Sequence, residues 1–179
     1  MIHSIPNDVS IRIAVPADVD CLSVFGQELV LGPLLSRYGL VQDKFCAELC
    51  GLAQHTPAHE TLLVATGIHA PDRILGIARV VHTGMFGSLG GYLKLIAVGE
   101  HTQGLGIGSQ LLKQAEITVA KNSRDLFLLV SDFNHAAQRF YLRHGYTEAG
   151  KLPGYVRTDI TEILFWKHVR NRQATESKA

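Results

Sequence analysis

The stretch Leu95-Ile96-Ala97-Val98-Gly99-Glu100-His101-Thr102-Gln103-Gly104-Leu105-Gly106-Ile107-Gly108-Ser109 constrains this chain more than any other segment. An apolar run of strand length leads into a loop with glycine at alternate positions, and a patterned segment follows at once. In that segment Leu111, Leu112, Ala115 and Val119 fall on one face of a 3.6-residue period, which predicts a helix over 106–122. A strand that turns through glycines into a helix start gathers unpaired backbone N–H groups and a positive dipole end at one point. Glycine at 104, 106 and 108 removes the Cβ atoms that would hold a phosphate off the backbone. The same glycines could simply shape a tight turn, and the loop alone names no ligand. A Walker loop would end in Gly-Lys-Ser/Thr, and here no lysine is present. The dinucleotide fingerprint GxGxxG also fails, because the third glycine follows the second by two positions rather than three.

The remaining segments supply a sheet around this unit. Strand patterns occur at 11–14, 61–66, 73–82, 92–98, 126–130, 146–149 and 162–167. Gly67 and Pro71-Asp72 read as the turn between the second and third, and Lys151-Leu152-Pro153-Gly154 as the turn before the last. Residues 126–130 are five apolar side chains in a row, the pattern of a strand covered on both faces. Helices are predicted at 17–29, after the turn Pro16-Ala17-Asp18, at 42–53, and at 134–144, closed by Gly145. Together these predict one α/β (α+β) domain over residues 9–168, with a polar tail over 169–179. Its sheet is mixed, mostly antiparallel and of about seven strands, flanked by about four helices, a size that 179 residues support.

Composition narrows the function. A formal charge of +1 removes the whole-domain argument for nucleic acid, although a local basic patch would survive in so balanced a total. No basic stretch precedes an apolar one at the start, and no apolar run approaches the roughly 18 residues of a membrane span, so a cytoplasmic protein is expected. Cys21, Cys46 and Cys50 form no CxxC pair, and the histidines have no ligand spacing, so no metal is expected.

The loop and a second segment together resemble the GNAT superfamily of acyl-CoA-dependent N-acetyltransferases. Gln103, Gly106 and Gly108 match its Arg/Gln-x-x-Gly-x-Gly/Ala motif. Asn134 to Tyr141, then His144-Gly145-Tyr146, resembles its Asn-x-x-Ala-x-x-x-Tyr segment and following glycine–aromatic pair. The resemblance covers about residues 9–168 and implies that acetyl-CoA is the acyl donor. Its pyrophosphate would rest on the backbone of Gln103, Gly104, Leu105, Gly106, Ile107, Gly108 and Ser109. Ile96, Ala97 and Val98 would hold the pantetheine arm and place an N–H near the thioester oxygen, worth roughly 3 kcal/mol to the barrier; packing alone explains their apolar identity. Asn134 would touch pantetheine, serve as a helix N-cap, or both. Tyr141 would protonate the departing thiolate, or is a half-buried aromatic beside Phe140.

The amine's proton acceptor stays open. Some relatives carry histidines at alternate positions of the fourth strand, where this chain has Tyr92 and Lys94. Glu28, His82, Glu100, His101 and Asp132 are the candidates. Two loops would choose the substrate, one with Leu31, Leu34, Leu35, Arg37 and Tyr38, the other with His82, Met85 and Phe86. Their apolar character favours a small, partly hydrophobic amine or a peptide over a strongly basic protein tail. The competing readings are a protein that binds acyl-CoA without transfer and a nucleotide-binding regulatory module. A homodimer through the last strands is a further family-level expectation.

Overall fold

The computed structural model describes residues 8–31, 37–39, 41–86 and 90–169. Among them the strands are β1 (Val9–Ile13), β2 (Glu60–Gly67), β3 (Ala70–Met85), β4 (Gly90–Val98), β5 (Asp125–Ser131), β6 (Thr147–Pro153) and β7 (Thr161–His168). The helices are α1 (Val19–Leu31), α2 (Gln42–Gln54), α3 (Ile107–Ala120) and α4 (His135–Arg143). All seven strands join one sheet in the order β1-β2-β3-β4-β5-β7-β6. β4 and β5 are parallel, while β1–β2, β5–β7 and β6–β7 are antiparallel, so the single α/β domain with a mixed sheet is as the sequence predicts. No helix among the described residues is long and apolar enough to cross a membrane.

Several boundaries differ. Pro71 and Asp72 lie inside β3 and the turn falls at Ile68 and His69, because a proline near the exposed start of a strand gives up no needed ladder bond. Lys151 to Pro153 are strand, not turn: β6 runs on to Pro153, with an irregularity between Glu148 and Gly150. The helix expected from 106 begins at Ile107. Leu31 ends α1, whereas Leu34 and Leu35 of the proposed substrate loop and residues 170–179 of the tail lie outside the described residues.

The chain packs as two compact units. The first takes the described residues up to Val80 with Leu95–Ala115, the second Val81–Lys94 with residues from Glu116 onward. In the first, Leu22 and Phe25 of α1 and Leu49 and Leu52 of α2 pack on Leu62 and Val64 of β2. The turn Pro16–Asp18 leads into α1, and Asp18 closes it by accepting from Val15 N–H at 2.8 Å and from both terminal nitrogens of Arg12 at 2.7 Å.

In the second unit, β5 and β7 alternate. Leu126, Leu128 and Val130 are buried, as are Ile163 and Phe165 opposite them, and Tyr141 of α4 packs on Phe165. The other face carries Phe127, Leu129, Leu164 and Trp166, each only half-buried. No described residue of β5 is exposed, and on this second face Asp125 and Ser131 are buried at the two ends while Phe127 and Leu129 between them are partly so. β4 runs beside β5 in the sheet and begins with two glycines, Gly90 and Gly91. A Cβ on Gly90 would stand 2.5 Å from the Phe127 ring, and one on Gly91 2.5 Å from Val119 of α3.

Candidate active site

The glycine loop is fixed to β3 before it turns. Gly99 N–H donates to Leu75 O, and the Thr102 hydroxyl donates to Gly99 O at 2.9 Å and reaches Leu75 O at 3.2 Å. Thr102 is buried, so the short turn Glu100–Thr102 is a peg rather than a free loop. From there Gln103 is exposed and its N–H is turned back toward Glu100 O at 3.4 Å. Gly104 and Gly106 both take left-handed backbone, φ 78° and 79°, with nothing within 4 Å of where a Cβ would stand. Two such residues bracketing Leu105 leave a concave backbone open to solvent immediately ahead of α3. Gly108 differs: it sits inside the first turn of α3, beside Ser109, in ordinary helical backbone. Ile107 is buried and anchors the helix start, with Leu111, Leu112, Ala115 and Val119 in register behind it.

Ile96, Ala97 and Val98 form the last half-buried residues of β4. Ala97 and Leu95 rest on the α1–α2 core, and Ala97 O lies so near Gly76 that a Cβ there would approach it to 2.9 Å. In the second unit, the pairing of β4 with β5 among the described residues ends at Leu93–Leu128. β5 continues to Ser131, paired on its other side with β7.

Asn134 is the N-cap of α4, its Oδ1 accepting from Ala137 N–H at 3.1 Å. Tyr141 is buried two turns on, edge to face with Phe140 and Tyr146. Burial raises its pKa above the ordinary 10, with Tyr92 adding to the shift, so the phenol stays protonated across the neutral range.

Three of the five proton-acceptor candidates lie together in the first unit. Glu28, Glu100 and His101 share the wall of a cavity of about 290 Å³ in the first unit, with Asp20, Asp72 and Arg73 beside them. His82 belongs to the second unit, on β3, where its carbonyl accepts from the Ser123 hydroxyl at 2.6 Å. Asp132 is exposed after β5, and its backbone is tied to Thr161 and Gln138. Met85 ends β3 and Phe86 follows it, with the Phe86 ring 4.9 Å from Phe127.

A family model described as the GNAT acetyltransferase domain matches residues 58–148, just over half of the chain. This chain belongs to the GNAT family of acetyltransferases. The matched span takes in the glycine loop, Asn134 and Tyr141. Solved structures carry the same fold over nearly the whole chain. A GNAT-family protein from Desulfovibrio desulfuricans is 22% identical, with 90% of this chain and 99% of that one covered at a TM-score of 0.72. A GNAT-family acetyltransferase from Streptococcus pneumoniae is 24% identical, with coverages of 90% and 99% and a TM-score of 0.68. An aminoglycoside 6′-N-acetyltransferase complexed with coenzyme A is 19% identical, with coverages of 91% and 98% and a TM-score of 0.70. At such identities the likeness is one of fold.

Two residues of this GNAT domain escape a reading of the sequence. Thr102 looks like one polar loop residue among several, and only the fold brings it under Leu75 O. Glu162 opens β7 as a carboxylate at 2% exposure, with the Ser131 hydroxyl 3.3 and 3.5 Å from its two oxygens. The one available signal is an acid at the head of an otherwise apolar strand, Glu162-Ile163-Leu164-Phe165-Trp166.

Proposed function

We propose that this chain transfers an acetyl group from acetyl-CoA to a primary amine of a small molecule or peptide. The observation that carries the reading is the pair of left-handed glycines, Gly104 and Gly106, with open space where side chains would stand, set directly before α3. A backbone shaped this way suits the diphosphate of coenzyme A: its N–H groups and the helix dipole supply positive potential without a lysine. Acetyl-CoA, when bound, supplies the thioester.

The chain's own groups do the rest. The loop from Gln103 to Ser109 holds the diphosphate, with Gly104, Leu105, Gly106, Ile107 and Gly108 as its backbone floor. Ile96, Ala97 and Val98 hold the pantetheine arm and direct one N–H at the oxygen on which charge develops. Asn134 uses its oxygen as a cap, which leaves its Nδ2 to donate to the arm. Tyr141, kept protonated by burial, donates to the departing sulfur. The three cysteines are free thiols, in keeping with a reducing cytoplasm.

Incubation with acetyl-CoA and a panel of primary amines, followed by free thiol release, tests this. Release above background is expected for at least one amine. Gly106→Glu, which places a carboxylate in the cradle, should abolish coenzyme A binding. Tyr141→Phe should lower turnover about 100-fold with unchanged coenzyme A affinity. Absence of coenzyme A binding by the unmodified chain would overturn the proposal, and tight binding without release from any amine would make the chain an acyl-CoA holder.

A further inference from the structure

The cavity of about 290 Å³ lies wholly within the first unit, lined by α1, by the start of β3 and by the turn that follows β4. Its lining is of two kinds. Phe25, Ile74 and Leu75, all buried, and the exposed Val24 form an apolar wall. Around it stand four carboxylates, of Asp20, Glu28, Asp72 and Glu100, against the single guanidinium of Arg73. Elsewhere in this unit Arg12 meets Asp18, and Arg79 meets Glu48 and Glu60. The cavity carboxylates are not matched in this way. Among the described residues none of the four has an ion pair or a side-chain hydrogen bond, and Arg73 pairs with none of them.

These acids also do not meet at one point. Among the described residues no three carboxylate, imidazole or thiol groups are gathered so as to hold a metal ion. Asp20 and Glu28 are eight residues apart on α1, about 12 Å along its axis. One small cation cannot answer charges so spread, whereas several cationic centres on one apolar chain can. The volume agrees, since at about 30 Å³ for each water-sized group it admits roughly ten heavy atoms.

From this arrangement we infer that the cavity binds a linear aliphatic polyamine. Its ammonium groups meet the carboxylates of α1, β3 and the turn, and its methylenes lie on Val24, Phe25, Ile74 and Leu75. Four carboxylates less one guanidinium leave three negative charges, which a triamine neutralises. The same surplus rejects an anionic ligand, and the apolar wall disfavours a bare hydrated ion. The site is separate from the glycine cradle but shares a segment with it: Glu100 and Thr102 line the cavity, and Gln103 opens the loop directly after them. On the reading above, in which that loop holds the diphosphate, the unmatched negative charges oppose coenzyme A and a bound polyamine cancels them. Occupancy therefore raises coenzyme A affinity, and coenzyme A raises polyamine affinity by the same factor.

Calorimetric titration of the whole chain tests this with spermidine, with magnesium ion, which has charge without methylenes, and with heptylamine, which has methylenes and one charge. Spermidine should bind one to one, at least about tenfold more tightly than either. Asp20→Asn combined with Asp72→Asn should weaken it about tenfold, and Val24→Lys, which sets a competing ammonium in the wall, should abolish it; an unchanged circular dichroism spectrum shows that both variants fold. Spermidine held no more tightly than magnesium ion, or indifferent to both variants, would overturn the site. At low salt, saturating spermidine should also tighten coenzyme A binding about threefold, with the gain lost at high salt and in Val24→Lys. Coenzyme A affinity that spermidine leaves unchanged would overturn the coupling. Spermidine binding in a chain that does not bind coenzyme A would leave this site standing and overturn the acetyl-transfer reading, and coenzyme A binding without spermidine binding would do the reverse.

Discussion

Gly91 has no room for even one methyl group. A Cβ there would stand 2.5 Å from Val119 Cγ1 and 2.9 Å from Val81 O, and the backbone oxygen cannot move aside alone. Gly91→Ala should therefore destabilise the chain by about 1–3 kcal/mol in urea unfolding. Val119→Ala removes the clashing carbon, so the double variant should cost less than the sum of the singles. Equal additivity would show that the strain lies elsewhere. Asp18 is the corresponding case for charge. Its hydrogen bonds from Arg12, opposed by burial and helped by Val15 N–H, hold its pKa below the ordinary 3.8. A carboxyl lowered on folding contributes stability above its unfolded pKa and loses it as pH falls through the folded value. Asp18→Asn should cost about 2 kcal/mol at pH 7, and this difference should shrink below pH 4. A pH-independent difference would mean the side chain acts only as a turn residue.

Helix α4 separates two roles that coincide at one residue. Asn134 caps it through Ala137 N–H, so Asn134→Ala should cost about 1 kcal/mol, and Asn134→Ser should recover most of that. If the amide also donates to pantetheine, neither variant recovers coenzyme A affinity; parallel urea and binding titrations separate the two. The same helix illustrates what is legible without coordinates. A cap followed by periodic residues and a closing glycine is local chemistry, and so is the α3 stripe, whose Leu111, Ala115 and Val119 are fully buried. The glycine loop is legible for the same reason, since glycine admits the left-handed backbone found at 104 and 106, although the fold alone decides that Gly108 is helical instead. Turn positions slip where the decisive contact is distant: Pro71 looks like a turn until β3 is found to begin at Ala70. Glu162 is the extreme case. Nothing within its own strand announces Ser131, which arrives from 31 positions away.

At the scale of the whole molecule the near-neutral total bears on how an anion is held. With Lys+Arg at 17 and Asp+Glu at 16, the chain has no general field to attract a phosphorylated ligand. Affinity must come from a few oriented groups, and these exist only in the folded chain. Coenzyme A should accordingly bind the native state alone and stabilise it by mass action. At 100 times its dissociation constant that amounts to about 2.7 kcal/mol. For a chain of this length each kcal/mol raises Tm by about 2–4 °C, so an increase of roughly 5–11 °C is expected in a thermal melt. Gly106→Ala tests where the gain originates. The position demands positive φ, so the variant is itself destabilised by about 1 kcal/mol, yet its methyl group would meet no neighbour. If the left-handed cradle holds the diphosphate, the ligand-induced increase in Tm falls to a few degrees at the same coenzyme A concentration. If the variant melts earlier but gains as much from coenzyme A as the parent chain does, the diphosphate sits somewhere other than this loop.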